Sequence, residues 1–209
     1  MLALTIALGV WQIARMHWKT GLLASIDRAE ASPPVALPAS PVPFEKVEVA
    51  GHFRNDLAAY YGSEVRSTLT GPQLGAQVLT PLERADGPPI LIDRGWMQEH
   101  ATLPPEPGET TVIGYVRPAE HAGFLSPASD PATRRFWALD PAVIGAALGL
   151  NQVAPFTIVA LGSGDGPPEP AHAMPRPPND HLSYAITWFG LAACLVFIFA
   201  AYVRRTIRQ

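Results

Sequence analysis

Twenty-two consecutive residues near the C-terminus, Leu182 to Val203, contain no Asp, Glu, Lys, Arg or His. As one helix they span roughly 33 Å, the thickness of a bilayer's hydrocarbon. Asn179, Asp180 and His181 stand at the entrance, with Tyr184 and Trp188 one and two turns in. Tyr202, Arg204, Arg205 and Arg208 close the far end. Aromatic and arginine side chains at both ends match the anchors of a membrane span. A helix this long and apolar all round is not expected in a soluble core.

The other terminus is shorter. Met1 to Ala14 supplies about 14 apolar residues before Arg15, against the ~20 that a full span needs. No basic segment precedes them and no small-x-small site follows, which argues against a signal peptide. An interfacial helix and a first span that begins upstream of Met1 remain, and the second is the expectation adopted. All 18 acidic residues lie within 27–180, beside 10 Lys and Arg, so that stretch carries −8 and its flanks +5. Such a domain is not built for nucleic acid. Together with the C-terminal arginines, this predicts an in-out-in topology with both termini cytoplasmic.

Between the two segments, 23 Pro and 17 Gly impose short elements. Alternating or β-branched runs predict six strands: Phe44–Phe53, Ala58–Val65, Gly75–Leu82, Pro89–Met97, Thr110–Arg117 and Pro155–Leu161. One helix is expected at Asp140–Leu148, with Pro141 in its first turn and Gly149 as its stop. The predicted fold is a membrane protein in which two transmembrane helices flank a mainly β, α+β domain, an antiparallel sheet or open barrel. Its predicted parts are a first span at 1–19, a linker at 20–43, the domain at 44–161, a Pro/Gly-rich linker at 162–180, a second span at 181–204 and a tail at 205–209.

Chemistry-bearing motifs are scarce. The chain has one cysteine, Cys194, which excludes an intramolecular disulfide, redox CxxC chemistry and paired thiolates for copper or zinc. Gly162–Gly166 (GSGDG) leads into Pro-Pro instead of a helix and is read as a turn. The six histidines show no i, i+4 pair, and no acid, base and nucleophile set can be assembled, so an enzyme is not expected. Asp93 and Arg94, ahead of Gly95-Trp96, are read as a strand end entering a tight turn.

Two clusters stand out. Trp11, Arg15 and Trp18 recur at helical spacing, which suits either an interfacial anchor or a binding face. His181, Tyr184 and Trp188, at i, i+3 and i+7, share a helical face that sets an imidazole above an aromatic column. A neutral imidazole there is a cap or interface residue, or an iron ligand beside a wall for a planar macrocycle.

Six motifs in order, Leu8-Gly-x-Trp-Gln-x-x-Arg-x-x-Trp-Lys19, Gly51-x-Phe53, Thr80-Pro-Leu82, Arg94-Gly-Trp96, Gly114-Tyr-Val-Arg117 and Asn179-x-His-x-x-Tyr-x-x-Thr-Trp-Phe189, resemble the Surfeit-locus-one (Surf/Shy) family of cytochrome c oxidase assembly factors. The resemblance covers nearly the whole chain. It implies two transmembrane helices around a periplasmic domain and residence in the bacterial inner membrane, or the mitochondrial inner membrane in a eukaryote. It also implies a role in inserting haem a into oxidase subunit I, with haem A synthase as a further partner. It further implies that haem a is bound, as in bacterial members of the family, through the histidine of the second-helix motif, which falls on His181. The cofactor-binding candidates are then His181, the haem-iron ligand, with Tyr184, Trp188, Trp11 and Arg15. His17 is either a second ligand or solvent-facing; Arg15 and Arg117 suit haem propionates, and Arg117 equally suits an ion pair. A non-haem-binding scaffold for oxidase subunits and an unrelated two-span protein with an extracytoplasmic binding domain are the alternative readings.

Overall fold

A computed structural model describes residues 1–68, 71–106, 108–164 and 166–208. The chain divides into two compact units, residues 29–174 and a helical unit of residues 1–28 with 175–209.

The larger unit is built on eight strands: β1 (Val35–Ala36), β2 (Lys46–Phe53), β3 (Ala59–Thr68), β4 (Gly71–Arg84), β5 (Gly87–Gln98), β6 (Thr110–Pro118), β7 (Arg135–Phe136) and β8 (Phe156–Ala160). All six predicted strands are present, with ends shifted by a few residues. The two-residue strands β1 and β7 are additions that no alternation pattern announces. Five strands close a ring in the order β2-β6-β8-β5-β4, and β4 returns to β2 through His52 opposite Glu83 and Phe53 opposite Leu82. At this closure a Cβ on Gly51 would stand 2.3 Å from the Glu83 carbonyl oxygen, so the seam requires glycine. The sheet is not purely antiparallel as expected. β5 pairs with β8 in parallel, as do β1 with β2 and β3 with β7.

The ring is filled from every strand, by Val47 and Val49, Leu82, Ile90 and Ile92, Val112 and Val116, and Ile158. Burying each such side chain stabilises the fold by about 1.5–3 kcal/mol. Because side chains alternate along β5, Leu91 points the other way, into a second core with Ala59, Leu79, Phe136, Leu139, Ile144 and Leu148. That core lies beneath α2 (Pro141–Ala147). The Asp140 carboxylate caps this helix by accepting from the N–H groups of Ala142 and Val143, and Gly149 ends it at a positive φ, as predicted.

The smaller unit contains most of α1 (Leu2–Ala31) and all of α3 (His181–Ile207). α3 is long and apolar enough to cross a membrane and leaves Phe197, Ile198 and Phe199 largely exposed. α1 has 30 residues, but Arg15, Lys19, Asp27, Arg28 and Glu30 interrupt it, and among the described residues it does not meet the same standard. One helix therefore qualifies as a span on length and composition where two were expected. The first half of the stretch read as a linker, 20–31, is helical. Leu22–Ala31 is rich in good helix formers, and the helix stops where Pro33-Pro34 withdraw two N–H donors.

Candidate functional site

Small and polar residues set how α1 and α3 meet. Thr5, Gly9 and Gln12 recur at helical spacing and are buried on α1, as are Ala185 and Ala192 on α3. The Phe189 ring covers Gly9, the His181 imidazole meets Gln12, and Asn179 meets Thr20. These contacts run in opposite directions along the two helices, which are therefore antiparallel. Side chains of this size let helix backbones approach closely in an apolar medium.

His181 is the first residue of α3, and its Nδ1 lies 2.7 Å from the Gln12 Oε1. A carbonyl oxygen can only accept, so Nδ1 is the donor in this contact, and in the neutral imidazole that tautomer leaves Nε2 with its lone pair. Two residues earlier, the Asn179 Nδ2 donates to the Thr20 Oγ1 at 3.2 Å, while its Oδ1 is buried without a partner among the described residues. Tyr184 and Trp188 follow on the same helix, the first exposed and the second half-buried. The resulting site has an oriented imidazole whose Nε2 makes no hydrogen bond among the described residues, an adjacent unmet acceptor and an aromatic face.

Trp11 and Arg15 lie on the outer surface of α1. Both are exposed, and the Arg15 guanidinium stacks 3.9 Å over the ring of Trp18, an arrangement that suits an interfacial anchor. The α1 side chain that reaches His181 is Gln12, one residue beyond Trp11. Its signal was present in the sequence as the Thr5, Gly9, Gln12 spacing within an apolar run. His17 is exposed, and at 100° per residue it projects roughly 140° away from Gln12. Arg117 is occupied: its guanidinium lies 2.9 Å from Glu120, donates to the Tyr61 hydroxyl at 3.2 Å and sits over the Tyr61 ring.

Asp93 and Arg94 do not stand at a strand end. Both lie within β5, where the register with β4 shifts between Gln77 opposite Trp96 and Leu79 opposite Asp93, leaving an extra β5 residue. Their side chains have separate surroundings. Arg94 is buried over the Phe53 ring, paired with Glu106 and hydrogen-bonded to the Asn55 Oδ1. Asp93 is buried and accepts from the Gly95 N–H at 3.1 Å. Burial pushes its carboxyl up to about 6, against the pull of the Gly95 N–H and the charges of Arg117 and Arg66. Among the described residues no group of three His, Cys, Asp or Glu is placed to hold a metal ion. Asp165, within the expected GSGDG turn, lies outside the described residues.

Comparison with known proteins finds the same kinship along almost the whole chain. The profile described as the SURF1 family matches residues 1–193. A SURF1-like protein of Rickettsia felis is 30% identical over 97% of this chain and 93% of its own length. Surfeit locus protein 1 of Mus musculus is 28% identical over 98% of this chain and 74% of its own, and that of Homo sapiens is 29% identical over 95% and 74%.

Proposed function

The chain belongs to the SURF1 family, and from that membership we propose that it is an assembly factor for haem–copper cytochrome c oxidase that holds haem a as cargo and passes it to subunit I. The observation that carries the haem-binding part is the Gln12–His181 hydrogen bond, which orients an imidazole and frees its Nε2. The donor chemistry fits: a neutral imidazole nitrogen is a common axial ligand of haem iron. Hydrogen-bonding the other ring nitrogen is the usual way to fix the tautomer and raise basicity. The unmet Asn179 Oδ1 offers an acceptor to a donor on the cargo. Tyr184 and Trp188 provide aromatic surface for a macrocycle or its hydrocarbon tail, and the exposure of Tyr184 beside a half-buried Trp188 suits a site that must let go of what it binds.

In this reading α3 crosses the inner membrane with its arginines cytoplasmic, and α1, whose apolar run is shorter, is the other membrane segment. The acidic β unit lies in the periplasm, or in the intermembrane space of a mitochondrion. Subunit I is the recipient and haem A synthase the donor. The protein carries out no bond-making step: its residues bind, orient and release.

The test is complementation. In a strain lacking this protein, the wild-type gene is expected to restore the haem a content of the oxidase, and His181→Ala, expressed at the same level, is expected to leave it near the level of the deletion strain. Full restoration by His181→Ala with continued dependence on the protein supports a scaffold that does not carry haem.

A further inference from the structure

The β unit contains a cavity of about 340 Å³, formed wholly by residues 61–171. Its floor is a row across three neighbouring strands. Tyr115 of β6 stands opposite Val159 of β8, which stands opposite Asp93 of β5, so all three side chains emerge on the face of the ring away from its interior core. One wall is the bulge of β3, where the pairing with β4 shifts between Tyr61 and Glu64 and Gly62 takes a positive φ. The other is the segment at Glu169, held to β5 by paired backbone hydrogen bonds between Glu169 and Trp96 of 2.7 and 2.9 Å. Bulges of this kind re-aim side chains and recur beside functional sites.

The charges around the cavity are unevenly matched. Arg66 spans Glu64 and Glu169 at 2.8 and 2.9 Å, and Arg117 is paired with Glu120. Both cations are thus neutralised by carboxylates of their own. Asp93 is 3% exposed, and its carboxyl accepts one hydrogen bond, from a backbone N–H. Tyr115 is also buried as a residue on the floor, and its hydroxyl makes no side-chain hydrogen bond among the described residues. The pull of the two paired arginines on Asp93 does not offset its burial, and a carboxylate taken out of water with so little compensation is costly to a fold unless something else supplies a counter-charge.

We propose that this cavity is a binding site for a cationic hydrogen-bond donor, an ammonium or guanidinium group, which is received by Asp93 with the Tyr115 hydroxyl as a second acceptor. The group comes either from a small free amine or from a basic side chain of a partner protein. Arg66 and Arg117, each tied to glutamate, line the same cavity. The site is separate from the helical unit and does not depend on haem.

The experiment uses the full chain in detergent at pH 7.5, with agmatine as the free amine and acetyl-Gly-Arg-Gly-amide as the side-chain source, each titrated calorimetrically. n-Butylurea serves as an uncharged control. Saturable binding of at least one cation, no binding of n-butylurea, and a loss of about tenfold or more in Asp93→Asn are expected, because that change removes the charge and keeps an acceptor for Gly95. Tyr115→Phe is expected to weaken binding by a smaller factor. Binding of agmatine identifies a free amine, and binding of the peptide alone identifies a partner's side chain. If wild type binds neither cation, or Asp93→Asn binds as well as wild type while retaining its melting transition, Asp93 is a structural residue of the bulge and the proposal is overturned.

Discussion

Gly95→Ala is expected to destabilise the β unit by about 3–5 kcal/mol, the sum of a strained backbone and two weakened hydrogen bonds. Gly95 holds a φ of 108°, which a side chain disfavours. A Cβ there would stand 1.8 Å from the Glu169 carbonyl oxygen, where backbone blocks it. The strand and the Glu169 segment must separate, and the Trp96–Glu169 pairing goes with them. Chemical denaturation of the full chain, followed by tryptophan fluorescence, measures the change; a loss below about 1 kcal/mol would mean that the segment yields at little cost. The Arg94-Gly95-Trp96 motif is explained in the same terms. Arg94 and Trp96 anchor opposite faces, the indole donating to the Glu64 carbonyl oxygen at 3.1 Å, and only glycine fits between them.

The second large effect concerns pH. The Asp93 carboxyl is pushed up to about 6 from 3.8, chiefly by burial. Between those values the folded chain holds a proton that the unfolded chain has lost. Its contribution to stability is therefore greatest below about pH 4 and falls away as pH rises through about 6. The shift corresponds to roughly 3 kcal/mol. Asp93→Asn has no charge to desolvate, so it is expected to be more stable than wild type by about that amount at pH 8 in amine-free buffer, and to match it near pH 4. Parallel stability curves for the two proteins between pH 4 and 8 would contradict this. A residue whose replacement stabilises the fold is one retained for another purpose, which is the logic of the cation site.

Local pattern made the strands readable. Alternation placed β2, β3, β4, β5, β6 and β8, and Asp140-Pro141 with Gly149 bounded α2. Long-range closure was not readable, because the His52–Glu83 seam and the parallel β5–β8 pair join residues that no window of sequence brings together. β7 is held by packing: Phe136 is buried in the outer core, and two residues carry no period of their own. The first helix runs beyond the expected end of the span at residue 19, because Leu22–Ala31 propagates it until Pro33.

For the site, the His181, Tyr184 and Trp188 spacing identified the face but not what orients the imidazole. Gln12 lies 169 positions away and was visible only as a polar interruption on a stripe with Thr5 and Gly9. Trp11 and Arg15 attracted notice through their chemistry, yet it is the smaller neighbours that meet α3. Asp93 reads from the sequence as a strand end entering a turn, and its place on a cavity floor is illegible there, since Tyr115 and Val159 reach it only through the sheet register.

The most direct test of the central claim is the visible absorption spectrum of the detergent-purified chain co-expressed with haem A biosynthesis, comparing wild type, Gln12→Ala and His181→Ala at equal protein. The account predicts a haem spectrum in wild type, an affinity about 10- to 100-fold lower in Gln12→Ala, where the imidazole loses its orienting partner, and no ligated haem in His181→Ala. A His181→Ala spectrum indistinguishable from wild type, or no haem in any of the three, would contradict it.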